Sequence, residues 1–400
     1  MAGFTSSEWR KILDLTQAGG ASFGLPSRRK RSVVLGTFNI RKLGAVKKRP
    51  PMAWAFLEAV AARFDLLAVQ EVMDDLEGIR HLRERLGPGY GLVVSDVTGV
   101  FPGERGSAER LAILFQWRRI ARTELASDIT YDRSKVVSTL FDHHLDFQRS
   151  WEAHEFDLGA WAAKKALYRE QGRRAPACPV VSLPRFLTFI RQPHCVSVQV
   201  QARNGAEPYD LLVVNAHLLY GQNKAERRWE FDALIEWLTL RAKKSEQMYH
   251  KNILLLGDCN LEFESIGLRR EEIDARLKAL NASVLRSRRA AKVNFPLLSP
   301  HPRHGELKTN LRQDETYDQI ALFHHDRRLP TAEDNARAGQ GGADAYDYGV
   351  FRITDLIAQA LHGAPYAGLR AAERRAIVRK AEYDISDHMP AWIRLPVPGA

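Results

Sequence analysis

Long apolar runs are missing from this chain. No stretch of about 18 apolar residues occurs, so no segment reads as a membrane-crossing helix. Cysteine is scarce: Cys178, Cys195 and Cys259 lack paired spacing, which argues against a disulfide framework and fits a reducing compartment. No Cys/His spacing suggests zinc, and no Gly-rich strand-to-helix turn suggests a P-loop or a dinucleotide site. The first twenty residues, MAGFTSSEWRKILDLTQAGG, carry charge where a secretory signal needs its apolar region, so the expected location is cytoplasmic. Acid is also in short supply. Forty-eight Asp and Glu face 59 Lys and Arg, for a net charge of +11. Such an excess favours polyanionic partners, of which nucleic acid is the commonest in cytoplasm.

The basic residues are clustered. Ser27 to Arg49 holds nine Lys or Arg and no acid, and Asn281 to Arg312 holds seven against Glu306 alone. Hydrophobic content of 45% and charged content of 27% are ordinary for a globular protein, and 400 residues can bury a sizeable core.

Short apolar runs stopped by polar residues predict buried strands: 33–39, 65–71, 90–95, 109–115, 186–200, 209–217, 253–256, 316–322 and 391–395. Helices are expected over 52–63, 75–86 and 223–244, where Phe231, Leu234, Ile235 and Leu238 recur at helical spacing. A helical and then basic segment is expected over 265–312. Residues 1–32 read as an N-terminal extension, a short helix leading into a basic, mobile stretch. The pattern is lost over about 120–182 and again over 326–380, and both stretches read as helical insertions in a single α/β domain covering 33–400.

The polar residues at the strand edges are Asn39, Glu71, Glu109, Arg191, His217, Asp258, Asn260, Asp318, Asp387 and His388. Ligands of α/β proteins gather at the carboxyl ends of strands. Singly, each residue has a plain explanation: Asn39 closing a turn, Glu71 capping a helix, His217 sitting satisfied in a core. A whole series of strands ending in such groups is not expected from turn chemistry. Hard divalent cations take oxygen ligands from one or two carboxylates, and Asn39, Glu71 and Asp387 supply that set. A histidine beside a carboxylate serves as acid or base near neutral pH.

Six stretches, Thr37-Phe38-Asn39-Ile40, Val69-Gln70-Glu71-Val72, Val214-Asn215-Ala216-His217-Leu218, Gly257-Asp258-Cys259-Asn260, Tyr317-Asp318-Gln319-Ile320 and Ser386-Asp387-His388-Met389-Pro390, carry a resemblance. In this order the chain resembles the endonuclease/exonuclease/phosphatase superfamily, typified by pancreatic deoxyribonuclease. The resemblance implies a four-layer α/β/β/α sandwich and Mg²⁺- or Mn²⁺-dependent hydrolysis of a phosphate ester. Glu71 would be the principal metal ligand, with Asn39 and Asp387 completing the site. Asp258 and Asn260 would orient the attacking water and hold a phosphate oxygen or a second metal. His388, held by Asp318, would act as general base or phosphate-stabilising imidazolium. His217, braced by Glu109, would protonate the leaving oxygen, and Arg191 would bind a phosphate. Abasic-site endonucleases of the superfamily carry tyrosine where His217 stands, which points away from that repair role.

The expected activity is therefore a nuclease. It is favoured by Arg41, Lys42, Lys47, Lys48, Arg49, Arg286, Arg288, Arg289 and Lys292 in loops beside the strand ends. The alternatives are a phosphatase or phospholipase acting on a lipid or small phosphoester, and a non-catalytic nucleic-acid scaffold. The first would want an apolar lip and the second would have lost ligands, and neither is evident in the sequence.

Overall fold

Residues 3–97, 108–130, 132–179, 181–220, 224–243, 250–260 and 291–399 are described in a computed structural model of the chain. The strands are β1 Ser32–Leu43, β2 Leu66–Met73, β3 Tyr90–Val94, β4 Glu109–Gln116, β5 Ile120–Asp128 and β6 His194–Val200. They continue as β7 Tyr209–His217, β8 Asn252–Asp258, β9 Lys292–Asn294, β10 Asp318–His324, β11 Asp347–Val350 and β12 Ala391–Pro396. The helices are α1 Ser6–Gly19, α2 Pro51–Ala61, α3 Glu77–Leu86, α4 Arg133–Asp142, α5 His144–Glu170, α6 Lys224–Lys243, α7 Ile353–His362 and α8 Ala371–Asp384.

Two six-stranded sheets result, ordered β11-β12-β1-β2-β4-β3 and β5-β6-β7-β8-β10-β9. Period-two alternation decides how they stack. In the second sheet Val196, Val213, Leu254, Leu256, Ile320 and Leu322 face the first sheet and join its core. Their neighbours Val214, Ile253, Leu255 and Phe323 turn outward and pack with Phe231, Leu234, Ile235 and Leu238 of α6. Each of those four helix residues contributes about 1.5–3 kcal/mol of gross burial. On the other outer face, α1 packs on α2 and α7, burying Trp9, Ile12, Trp54, Phe56, Ile353 and Leu356. The order is helix, sheet, sheet, helix, the four-layer sandwich expected from the sequence.

Three boundaries differ from the sequence reading. The stretch from about 120 opens with β5, a full edge strand of the second sheet, whose pattern of one buried residue and then mostly exposed ones hid it. The next two helices, α4 and α5, bury none of their residues and are additional to the sandwich. The 326–380 stretch supplies β11 and α7, both part of the layers, so it is woven into the fold. Residues 3–32 are likewise built in, since α1 is a covering helix and Arg28 bonds the buried Asp65 carboxylate at 2.9 Å. The helix expected from 265, together with Arg286, Arg288 and Arg289, lies outside the described residues.

Candidate active site

Each sheet has one parallel pair near its centre. In the first sheet β1 runs beside β2 with Asn39 opposite Gln70, and in the second β7 runs beside β8 with His217 opposite Asp258. Antiparallel neighbours begin where these pairs end: Glu109 of β4 lies opposite Met73, and Asp318 of β10 lies opposite Asp258. All these groups therefore reach one edge of the sandwich. Glycine at 257 is a requirement of the pairing, because a Cβ there would lie 2.0 Å from the Ala216 carbonyl oxygen.

Asn39 ties the two sheets together. Its Nδ2 donates to Glu71 Oε1 at 3.2 Å and, across the sandwich, to Asp258 Oδ2 at 3.0 Å. Two carboxylate acceptors fix the amide's orientation, and its buried Oδ1 has no hydrogen-bond partner among the described residues. Glu71 sits at a register shift between β2 and β4, in the left-handed region with φ 57°. That conformation costs about 1–2 kcal/mol for an L-residue and turns the side chain toward Asn39. The Lys42 amide donates to Glu71 Oε2 at 2.9 Å.

Asp387 reaches the site through Ser386, whose hydroxyl donates to the Asn39 carbonyl at 2.6 Å, accepts from the Arg41 amide at 3.2 Å and lies 3.4 Å from Asp387 Oδ1.

Asp258 stands between two histidines. Its Oδ2 is 3.4 Å from His388 Nε2 and 3.7 Å from His217 Nε2. Each histidine has its own carboxylate behind it: Asp318 Oδ2 at 2.8 Å from His388 Nδ1, and Glu109 Oε2 at 3.3 Å from His217 Nδ1. Burial alone would raise the Asp258 pKa, but His388, His217 and the Asn39 amide outweigh it and hold the carboxylate below its usual range. Burial works against a charged His388 as well, yet Asp318 and Asp258 prevail and lift its pKa well above the ordinary imidazole value. Asp318 is raised, by burial and by the neighbouring Asp258 charge. A proton is thus held on the His388–Asp318 pair at neutral pH. Asp258, Asp318 and His388 also bring their ligand atoms within 4.8 Å of one another.

Glu109 and Arg191 are engaged with each other. Arg191 Nε donates to Glu109 Oε2 at 2.7 Å and its Nη1 to the Leu218 carbonyl at 3.2 Å. Burial opposes ionisation of Glu109, but His217 and Arg191 overcome it and its pKa is lowered. Asn260, at φ 48°, caps Asp258 Oδ1 with its backbone amide at 2.9 Å and donates its side-chain amide to the Leu218 carbonyl at 2.9 Å. The structure therefore brings every strand-end residue into one connected edge, with Arg191 and Asn260 locking the loop after β7.

Sequence reasoning missed several supports. Asn215, fully buried on β7, donates across the sandwich to the Val69 carbonyl at 3.2 Å and the Ala112 carbonyl at 2.9 Å, and accepts from Gln70 Nε2 at 2.6 Å. Those bonds hold β2 just before Glu71. Glu230 of α6 accepts from the backbone amides of Ile190, at 2.7 Å, and Leu219, and burial pushes its carboxyl up to about 7. Arg49 belongs to the basic loop in sequence, yet it is buried in the structure. Its guanidinium donates to the Arg41 carbonyl, the Lys42 carbonyl at 3.3 Å and the Ile385 carbonyl at 3.3 Å, tying the Glu71-capping turn to the segment before Asp387. Lys42, Lys47 and Lys48 are exposed as expected, whereas Lys292 opens strand β9 opposite His324, at the end of β10 away from Asp318 and the site.

No family profile and no curated protein matches the chain. Solved structures similar to it include an endonuclease/exonuclease/phosphatase family protein from Bacteroides thetaiotaomicron, with 14% identity, 93% of this chain and 97% of that one covered, and a TM-score of 0.45. A mannosyl-6-phosphatase from the same organism is 12% identical, with 90% and 98% covered and a TM-score of 0.43. The human Nocturnin catalytic domain is 12% identical, with 91% and 93% covered and a TM-score of 0.42. Likeness at this level carries no activity across to the present chain.

Proposed function

We propose that this chain is a divalent-metal-dependent phosphodiester hydrolase that cleaves nucleic acid by attack of water. The observation that carries the reading is Asp258 flanked by two carboxylate-backed histidines, with Asn39 and Glu71 opening beside it. The oxygen-rich donor set fits a hard cation, and Asn39 Oδ1, without a hydrogen-bond partner among the described residues, is a buried acceptor that a cation would satisfy. Asn39, Glu71 and Asp387 would hold the ion. Bound Mg²⁺ or Mn²⁺ would supply positive charge at the phosphate oxygens and polarise the ester. Asp258 has both oxygens engaged by Asn260, Asn39 and the histidine edges, which suits orienting a water better than holding a second ion.

Around that centre the side chains divide the proton work. Asp258, held ionised, accepts a hydrogen bond from the attacking water, aims its lone pair and takes the proton the water gives up as the new P–O bond forms. His388, held protonated, places an N–H and a positive charge where negative charge grows on the phosphoryl oxygens. His217, with Glu109 behind Nδ1, presents Nε2 as the acid for the departing oxygen. Exposed Lys42, Lys47 and Lys48 beside the site favour a polyanionic substrate. Tyr220, 74% exposed and three residues beyond His217, offers a face for a base to stack on.

The test uses purified protein with Mg²⁺ or Mn²⁺ against plasmid DNA, single-stranded RNA and bis-p-nitrophenyl phosphate, beside Glu71→Ala and His388→Ala. The expected result is metal-dependent cleavage of nucleic acid, reduced about 10²–10⁴-fold by His388→Ala and further by Glu71→Ala. Hydrolysis of the small ester with nucleic acid untouched would move the assignment to a small-molecule or lipid phosphoesterase. Salt-sensitive binding without any turnover would leave a scaffold.

A further inference from the structure

One face of α8 is arginine-rich and turned to solvent. Arg374, Arg375 and Arg379 line a groove of about 590 Å³ together with Arg312 from a neighbouring loop. Buried Tyr366 and Val378 lie along it. None of the four arginines pairs with a carboxylate among the described residues, and nearby acids are already taken: Glu373 by Arg370 and Asp355 by Arg352. A merely solvated helix face interleaves the two signs of charge. This face carries three cations, with Glu382 as the one acid on the groove wall.

The groove adjoins the candidate active site. The Leu311 amide, next to Arg312, donates to the Asp387 carbonyl at 3.0 Å, and Asn310 bridges to His388. The helix that forms the other wall ends at Asp384, just before Asp387. From Ala371 to Glu382 the face runs about 16 Å at 1.5 Å per residue, room for more than one phosphate of a strand laid along it. Guanidinium groups match phosphate oxygens two at a time.

We infer that this groove is an exosite for the phosphate backbone of a nucleic-acid strand, holding the part of the substrate that runs away from the cleavage position. The inference rests on the nuclease reading and adds to it a second, non-catalytic contact. It separates binding from chemistry, so the two are measured apart.

The experiment is fluorescence anisotropy with the full chain and no divalent metal, titrating a long labelled single strand over a range of salt. R374Q/R375Q/R379Q and the corresponding triple lysine variant run beside the unaltered chain, and metal-dependent cleavage is assayed in parallel. With about 0.7 counterions released per contact on a single strand, losing three contacts lowers the logarithmic salt slope by about 2 and the affinity near 0.1 M salt on the order of 10²-fold. The lysine variant keeps the slope. Equal affinity and slope in the glutamine variant, with cleavage intact in the unaltered chain, would overturn the exosite and leave the nuclease reading standing. Failure of the unaltered chain to bind or cleave nucleic acid, with the small ester still hydrolysed, would overturn the nuclease reading and the groove with it. Arg375→Glu and Arg379→Glu, both at exposed positions, carry the same test should the triple variant fold poorly.

Discussion

Replacing Asn215 by leucine tests the link between the sandwich interior and the candidate site. The two side chains share a branched, four-heavy-atom outline, so the change removes the polar bonds without opening a cavity, leucine's methyls adding some bulk. Asn215 has no exposed surface and makes three hydrogen bonds to the opposite sheet: two donated to the Val69 and Ala112 carbonyls and one accepted from Gln70. Gln70, itself buried with Oε1 accepting from Thr37, would be left with an amide short of its 2.6 Å partner. The unmade Gln70 donor costs about 1–3 kcal/mol and each of the two bonds to the carbonyls about 1 kcal/mol, for an expected loss of about 3–5 kcal/mol. Urea denaturation of Asn215→Leu and Asn215→Asp against the unaltered chain measures it. Aspartate keeps an acceptor for Gln70 but sets a carboxylate against two carbonyl oxygens, so it should be the worse of the two. A loss under about 1 kcal/mol, or a milder effect of aspartate, would refute the reasoning.

Two further substitutions bear on the site. His388 has a raised folded pKa, so the stabilisation from its charged form is complete below the ordinary imidazole value and is lost as pH rises through the folded one. Asp318→Asn removes the strongest of the charges that lift it, and the alkaline fall in kcat/KM for a small diester should move to lower pH; an unmoved alkaline limb would exclude protonated His388 as the active form. Arg49→Met strips donors from three backbone carbonyls and should cost about 2–3 kcal/mol together with activity, with no rescue by lysine. Weaker nucleic-acid binding at unchanged thermal stability would instead make Arg49 a substrate contact.

The site was legible where a buried strand ends abruptly. Leu254-Leu255-Leu256 announces β8, and Gly257-Asp258 marks its stop, because complete burial demands an apolar run and the edge releases it. β5 was not legible, since an edge strand with Arg122, Glu124 and Ser127 on its surface has the composition of a loop. β11 escaped because four residues, one of them glycine, are too few to show alternation. Arg49 misled for a different reason. Charge in a basic stretch reads as surface, and only the three carbonyls converging from Arg41, Lys42 and Ile385 show that this guanidinium is buried among backbone acceptors. Likewise Asn215 and Gln70 look like ordinary strand residues until the second sheet is laid over the first.

The bond from Asn39 to Asp258 spans the seam where the sheets meet, joining residues 219 positions apart in the chain. Neither sheet carries a complete set of reacting groups, so the site exists only while the two are in register. A nascent or proteolytically cut chain that has folded one sheet alone would hold isolated carboxylates and histidines with nothing to act on. Assembly of the sandwich therefore works as a safety catch, keeping the proposed hydrolase inert until the whole molecule has closed.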